Sequence, residues 1–287
     1  MTIEDILHER QDMTDWLLHF TRKTENRGAR DVLLSILVEG VIRPGFSERI
    51  IGQRKQLKKT IYGPHAAVCF SEQPLNAFVH YLRARNDPAA MAGYGILIHK
   101  RDVYAAGGLP VIYGLPKGEE LHHGEQGYDS QKRLLRRENL PLDLQYRYVV
   151  FVPTETGPID WTHEREWRWP ANSSIISSEP LFYLGPNRYS GKNGVIFESR
   201  VHAFVNNDED ILWLQEKLKE ALEHNQVGQV PYSKSNRKPY SYYWTDNLQY
   251  VRIISLDEVR KNNACKEFLR FDEWPEDHKY SLITTVR

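Results

Sequence analysis

The chain has 287 residues, long enough for one large domain or two small ones around a substantial core. Hydrophobic residues make up 40% and charged residues 26%, ordinary values for a globular protein. The 38 Lys and Arg balance 38 Asp and Glu, so whole-protein attraction to nucleic acid or membrane is excluded as an argument and local patches must carry any such role.

Taken in order, Thr2 begins a short polar helix, with Asp5 at the third position in the manner of a capping box. Trp16 to Thr21 reads as the first strand, with His19 and Thr21 on one face and Leu18 and Phe20 on the other. Gly28 to Glu39 carries Val32, Leu33, Ile36 and Leu37 at helical spacing, and Gly40 is placed to end that helix. Between Arg43 and Thr60, six cations (Arg43, Arg49, Arg54, Lys55, Lys58 and Lys59) face one acid, Glu48. This segment is expected to be a mobile basic loop. Ala66–Ser71 reads as a buried strand, followed by a helix near Leu75 to Ala84, and Gly95–Ile98 as another strand. Gly107 to Tyr113 gives a turn and a strand, residues 114–130 a loop, and Gln131 to Arg137 a basic helix.

The most informative stretch is Asp160 to Pro170, Asp-Trp-Thr-His-Glu-Arg-Glu-Trp-Arg-Trp-Pro. The preceding Tyr146–Val152 is β-branched and aromatic, and Pro153, Gly157 and Pro158 punctuate the connection, so strands are expected on both sides. In an extended chain Glu164, Glu166 and Arg168 share one face while Arg165, Trp167 and Trp169 share the other. A helix would separate the two glutamates by about 200°. Two acids on one rigid face can stabilise a cationic transition state. The alternative is an edge strand laced with Glu–Arg pairs.

Beyond this, Val195–Phe197, Val201–Val205 and Val251–Ile254 read as strands and Asp208–Glu223 as an amphipathic helix with acids in its first turn. Lys234, Arg237 and Lys238 precede an aromatic group, Tyr240, Tyr242, Tyr243 and Trp244, rings on which unpaired bases could stack, and the tail beyond Asp257 is polar and expected to be peripheral. The strands do not alternate regularly with helices. A single α+β domain is therefore expected over residues 1–287, with a mixed or antiparallel split sheet and flanking helices.

Several chemistries lack their signatures. Gly93-Tyr-Gly95 has no third glycine or helix start, no phosphate-loop Gly-Lys-Ser/Thr occurs, and His163-Glu164-Arg-Glu-Trp167 lacks the second His of a zinc-protease helix. Cys69 and Cys265 have no His or Cys at metal-ligand spacing, so neither a disulfide framework nor a metal site is expected. With no basic-then-apolar leader and no apolar run near the ~20 residues of a membrane span, a cytoplasmic location and no membrane partner are expected.

What remains is an ordered set: His19 and Thr21, then Ser71, then an aromatic helix with His80 and Tyr81, then Glu164 and Glu166. Singly, each has a plain explanation as a core histidine, a helix cap or a packing residue. Their order resembles the ADP-ribosyltransferase superfamily. Leu18-His-Phe-Thr21, Val68-Cys-Phe-Ser-Glu-Gln-Pro74 and Glu164-Arg-Glu-Trp-Arg168 are similar to its members in bacterial toxin–antitoxin and phage-defence systems, the DarT-type transferases of nucleic acid being the nearest type. The resemblance spans Trp16 to Arg168. It implies an ADP-ribosyltransferase fold and NAD as substrate, with His19 and Thr21 on the nicotinamide amide and ribose and Phe20 and Ser71 also in the NAD site. Tyr81 would stack on the nicotinamide, with Tyr62 and Tyr94 as further candidates for that role. Glu166 would bond the ribose 2′-hydroxyl. Glu164 would orient or deprotonate the acceptor. The Glu-X-Glu form is usual in arginine-modifying members, which carry Arg rather than His on the first strand, so the acceptor stays open.

The expected function is thus an NAD-dependent mono-ADP-ribosyltransferase, a toxin or defence effector with RNA or DNA as acceptor and a neutralising antitoxin as partner. Arg54, Lys55, Lys58 and Lys59 would deliver the acceptor. Two other readings stay open. One is a metal-dependent nuclease using Asp160, Glu164 and Glu166, although no well-placed Lys follows these acids. The other is a non-enzymatic nucleic-acid-binding module.

Overall fold

Runs of β-branched and aromatic residues form the strands of the computed structural model, and stretches with apolar residues at helical spacing form its helices. The structure describes residues 12–51, 56–85, 92–116, 135–152, 159–171, 181–184, 201–228, 244, 248 and 251–262. In chain order the elements used below are β1 (Trp16–Phe20), α1 (Ala29–Glu39), β2 (Glu48–Ile51), β3 (Gln56–Lys59), β4 (Ala67–Ser71), α2 (Leu75–Arg85), β5 (Gly95–His99) and α3 (Lys100–Ala105). They continue with β6 (Leu109–Pro110), β7 (Ile112–Gly114), β8 (Tyr148–Val150), β9 (Glu166–Pro170), β10 (Val201–Val205), α4 (Asp208–Glu223), β11 (Ile253–Ser255) and α5 (Leu256–Asn262). The architecture is α+β, with a mixed multi-stranded sheet and flanking helices.

The chain divides into two compact units. The first comprises residues 1–42, 72–105 and 183–287, and the second residues 43–71 and 106–182. In the first unit the strand order is β11–β10–β5–β1, parallel between β11 and β10 and antiparallel elsewhere. Trp16 and Leu18 of β1 pack with Leu75, Phe78 and Val79 of α2, Leu97, Phe204, Ile254, and Leu256 and Val259 of α5. Phe20, Tyr81 and Leu82 pack against the same cluster. Helix α1 has Gly28 as N-cap, whose N–H donates to Asp31 Oδ2 at 3.2 Å, and ends on Gly40 at φ 72°. A side chain at Gly40 would run into the Trp244 ring, and the Trp244 indole N–H donates to the Leu37 carbonyl. Helix α4 is capped by Asn207, whose side chain accepts from the Asp210 N–H at 2.9 Å.

In the second unit β9 is flanked antiparallel by β4 and β6. Ile61, Ala67 and Tyr146 form a small core with Phe46 and Cys69 against it. Trp169 donates its indole N–H to the Ala106 carbonyl at 2.8 Å and meets Phe182 edge-on at 5.4 Å.

Four expectations need correction. Arg43–Thr60 is no simple loop, because β2 and β3 pair as an antiparallel hairpin with Glu48 opposite Lys59. Ile50 and Ile51 followed by Gly52 carried that strand-and-turn signal, and the charge run hid it. The chain after Asp257 is not all peripheral, since Val259 of α5 is core. Trp244 is fully buried, a core residue rather than a ring for stacking on bases. Arg137–Asn139 forms a 3₁₀ turn, where a basic helix was expected. The helix from Thr2, the strand Val195–Phe197, residues 117–134 and the remainder of the Lys234–Trp244 stretch lie outside the described residues.

Buried His202 on β10 sets the acid behaviour of the first unit. Its ring lies 4.8 Å from that of Trp16, and its Nδ1 accepts from the Arg252 N–H at 3.3 Å. Burial, helped by the Arg252 charge, pushes its pKa down from 6.5 to about 3. Between those values the unfolded chain binds a proton that the folded chain refuses, so stability falls as pH drops from 6.5 toward 3. The expected loss approaches about 1.4 kcal/mol per pH unit in that window. Urea midpoints at pH 7, 5 and 4 measure it, and His202→Phe should flatten the slope. An unchanged slope in that variant assigns the acid sensitivity elsewhere.

Candidate active site

The Asp160–Pro170 stretch splits into a turn and a strand. Asp160 Oδ1 accepts from Thr162 N at 2.8 Å and from Thr162 Oγ1 at 2.5 Å, which starts a 3₁₀ turn over Thr162–Glu164. These bonds hold the exposed Asp160 carboxyl below its ordinary pKa. The Glu164 and Arg165 N–H groups then donate to the Trp161 and Thr162 carbonyls at 3.0 and 3.1 Å. Arg165 adopts the left-handed conformation (φ 45°, ψ 52°), and β9 begins at Glu166. Glu164 therefore does not share a strand face with Glu166 and Arg168, contrary to the expectation. The Asp-X-Thr turn signal outweighs the strand propensity of the flanking aromatics.

Glu166 and Arg168 do share a face. Arg168 Nε donates to Glu166 Oε1 at 2.7 Å and Nη2 to Oε2 at 3.0 Å, a two-pronged pair within one strand. Arg168 is only 4% exposed, and its Nη1 also donates to the Tyr146 carbonyl at 2.6 Å. Burial is the largest single influence and works against its charge, but Glu166 together with the charges of Cys69 and Tyr62 raises the guanidinium above its usual pKa. Glu166 has a half-buried backbone position and a carboxylate committed on both oxygens.

The strand register places Ser71 directly opposite Glu166 across β4 and β9. The Ser71 hydroxyl, buried, donates to the Glu164 carbonyl at 2.7 Å rather than capping a helix. Two motifs some 90 residues apart in sequence thus meet in the second unit. Sequence reasoning gave no role to Tyr113, whose hydroxyl donates to the Trp161 carbonyl at 3.2 Å. Burial and then the charges of Glu166, Glu164 and Asp160 push its phenol up to about 12. Nothing local to Ile112-Tyr-Gly114 signals this contact. It arises because β7 and the Thr162–Glu164 turn are neighbours in space.

His19, Phe20, Thr21, Tyr81 and Tyr94 lie in the first unit, and Tyr62 in the second. His19 is half-buried on β1, opposite Ile96 of β5. The Phe20 ring stacks on Phe78 at 5.7 Å, with the Arg22 guanidinium 5.3 Å from its centre. The Thr21 hydroxyl is buried and donates to the carbonyls of Ala29 (2.7 Å) and Tyr94 (3.2 Å), tying the end of β1 to the start of α1. The Tyr81 ring packs on the core cluster and its hydroxyl accepts from Arg85 Nη1 at 2.8 Å. Of the other tyrosines considered, Tyr94 donates to Asp210 Oδ2 at 2.8 Å, and burial with that bond raises it to about 12. Tyr62 meets Tyr148 edge-on at 6.0 Å under the Arg137 guanidinium at 5.0 Å.

Of the four cations assigned to an acceptor, Lys58 and Lys59 are on β3, and Arg54 and Lys55 lie outside the described residues. Lys59 Nζ sits 4.0 Å from the centre of the Phe46 ring. Among the described residues no group of three His, Cys, Asp or Glu is gathered to hold a metal ion, and no helix is long and apolar enough to cross a membrane. No family model, curated protein or solved structure matches this chain.

Proposed function

We propose that the protein cleaves NAD, releases nicotinamide and transfers ADP-ribose to a macromolecule. The observation that carries this reading is the pairing of Ser71 with Glu166 across adjacent strands, joined to Glu164 through the Ser71 hydroxyl. Breaking the nicotinamide–ribose bond develops an oxocarbenium-like cation on the ribose. A carboxylate fixed beside that ribose stabilises the transition state more than the ground state. Glu166 has the fixity, because both its oxygens are held by a buried guanidinium. Glu164, two residues before it on a separate turn, is the group assigned to orient the acceptor or take its proton.

Incubation with NAD labelled in the nicotinamide, with and without EDTA, tests the reading. Release of free nicotinamide in both samples supports it. Absence of release, or cleavage of nucleic acid only when divalent metal is present, overturns it.

The acceptor is proposed to be nucleic acid, with the chain acting in the cytoplasm as a growth-arresting or phage-defence effector under the control of an antitoxin protein. The effector role rests on the sequence resemblance. The acceptor rests on the basic segment Arg43–Thr60, six cations against one acid in a chain of zero net charge. Such a cluster is costly in self-repulsion unless a polyanion answers it. Replacing Arg54, Lys55, Lys58 and Lys59 together by Ser should weaken transfer to RNA or DNA roughly tenfold or more at moderate salt, while plain NAD hydrolysis survives. Equal loss of both activities would show that the hairpin serves the NAD site instead.

A further inference from the structure

The turn that carries Glu164 is held at both ends by hydroxyl groups from other strands. At its start the Trp161 carbonyl accepts two hydrogen bonds, from the Glu164 N–H at 3.0 Å and from the Tyr113 hydroxyl at 3.2 Å. At its end the Glu164 carbonyl accepts from the Ser71 hydroxyl at 2.7 Å. Between these anchors and β9 stands Arg165 in the left-handed conformation, which residues other than glycine adopt uncommonly. The anchors on either side of it help to set the path from Glu164 to Glu166.

Tyr113 is itself well held. It lies on β7, paired in parallel with β8 (Tyr113 opposite Val149), and its ring meets Phe151 edge-on at 6.1 Å. The ladder holds the backbone from which the ring projects and Phe151 packs against the ring, so the hydroxyl is well positioned. Like any phenol it keeps its proton at neutral pH, and burial, then the charges of Glu166, Glu164 and Asp160, push it further that way, so it serves as a donor.

We propose that Tyr113 is a positioning residue that fixes the Glu164 carboxylate relative to Glu166, so that its removal impairs transfer to an acceptor more than NAD hydrolysis. This rests on the NAD-cleaving reading above for its kinetic consequence, but the anchoring itself is measurable without NAD. Tyr113→Phe deletes one hydroxyl and keeps the ring and its packing against Phe151.

Hydrogen exchange should show the Glu164 and Arg165 amides exchanging about tenfold faster in Tyr113→Phe, with protection in β9 unchanged. Steady-state kinetics should show kcat for transfer falling about tenfold, hydrolysis falling less, and KM for NAD staying within about twofold. A merely structural hydroxyl would lower both activities in proportion. Wild-type exchange at Glu164 and Arg165 overturns the anchor whatever the kinetics show, and equal losses of transfer and hydrolysis overturn the positioning role. If the unmodified protein releases no nicotinamide, the NAD reading falls and the exchange result alone decides the anchor.

Discussion

Glu166→Gln is expected to lower nicotinamide release from NAD by on the order of 10²–10³. The same change should lower stability by about 3 kcal/mol, because it strips the charge from the partner of a buried guanidinium. Arg168 is 4% exposed and pairs with the Glu166 carboxylate, so the substitution leaves a buried cation with the Tyr146 and Tyr148 carbonyls. Loss of activity in this variant alone is thus ambiguous between chemistry and folding. The double variant Glu166→Gln/Arg168→Met separates them. Removing both charges from a buried pair restores most of the stability that removing one of them costs. Chemical denaturation should find the double variant near the parent, and nicotinamide release should remain absent. Recovery of NAD cleavage together with stability would reduce Glu166 to a structural residue and sink the proposed mechanism.

The second large effect is expected at Gly95. A Cβ there would stand on top of the His19 carbonyl oxygen, 2.6 Å from the Phe204 ring and 2.8 Å from the Phe20 Cα. Two of these neighbours are backbone atoms of β1, which cannot rotate away. Gly95→Ala should therefore cost about 3 kcal/mol or more and push β1 away from β5. Because His19 and Phe20 lie at the crowded point, NAD turnover should fall as well. Gly45→Ala is the control, since a Cβ there meets nothing nearer than 4.0 Å. Equal urea midpoints for the two variants would contradict the close β1–β5 approach.

The sequence was most legible where one periodicity ran undisturbed. Helix α4 spans Asp208–Glu223 as its apolar spacing and capping Asn207 direct, and α1 ends at Gly40 because only a residue free to take φ 72° fits beneath Trp244. Strands β1, β4 and β5 were equally readable, since each is short, apolar and bounded by polar or turn residues. Reading failed where two local signals competed. Strand propensity around Trp161 and Trp167 hid the Asp160–Thr162 turn, and the charges of Arg43–Thr60 hid the Ile50–Ile51 strand. The pairing of Ser71 with Glu166 and the Tyr113 contact were beyond any local signal, because both are products of register and strand order.

The pair within β9 also bears on how that strand finds its partner. Trp167 and Trp169 are two residues apart on one face, so sliding β9 by two residues along β4 would exchange one indole for another at little hydrophobic cost. Aromatic packing alone leaves these alignments nearly degenerate. Arg168 lifts the degeneracy, because opposite Cys69 its guanidinium meets the carbonyls of Tyr146 and Tyr148, bonds that a slip forfeits even though Glu166 travels with it. The buried guanidinium that makes Glu166 hard to mutate cleanly is thus, through those two carbonyls, a proofreading device for the alignment of β9.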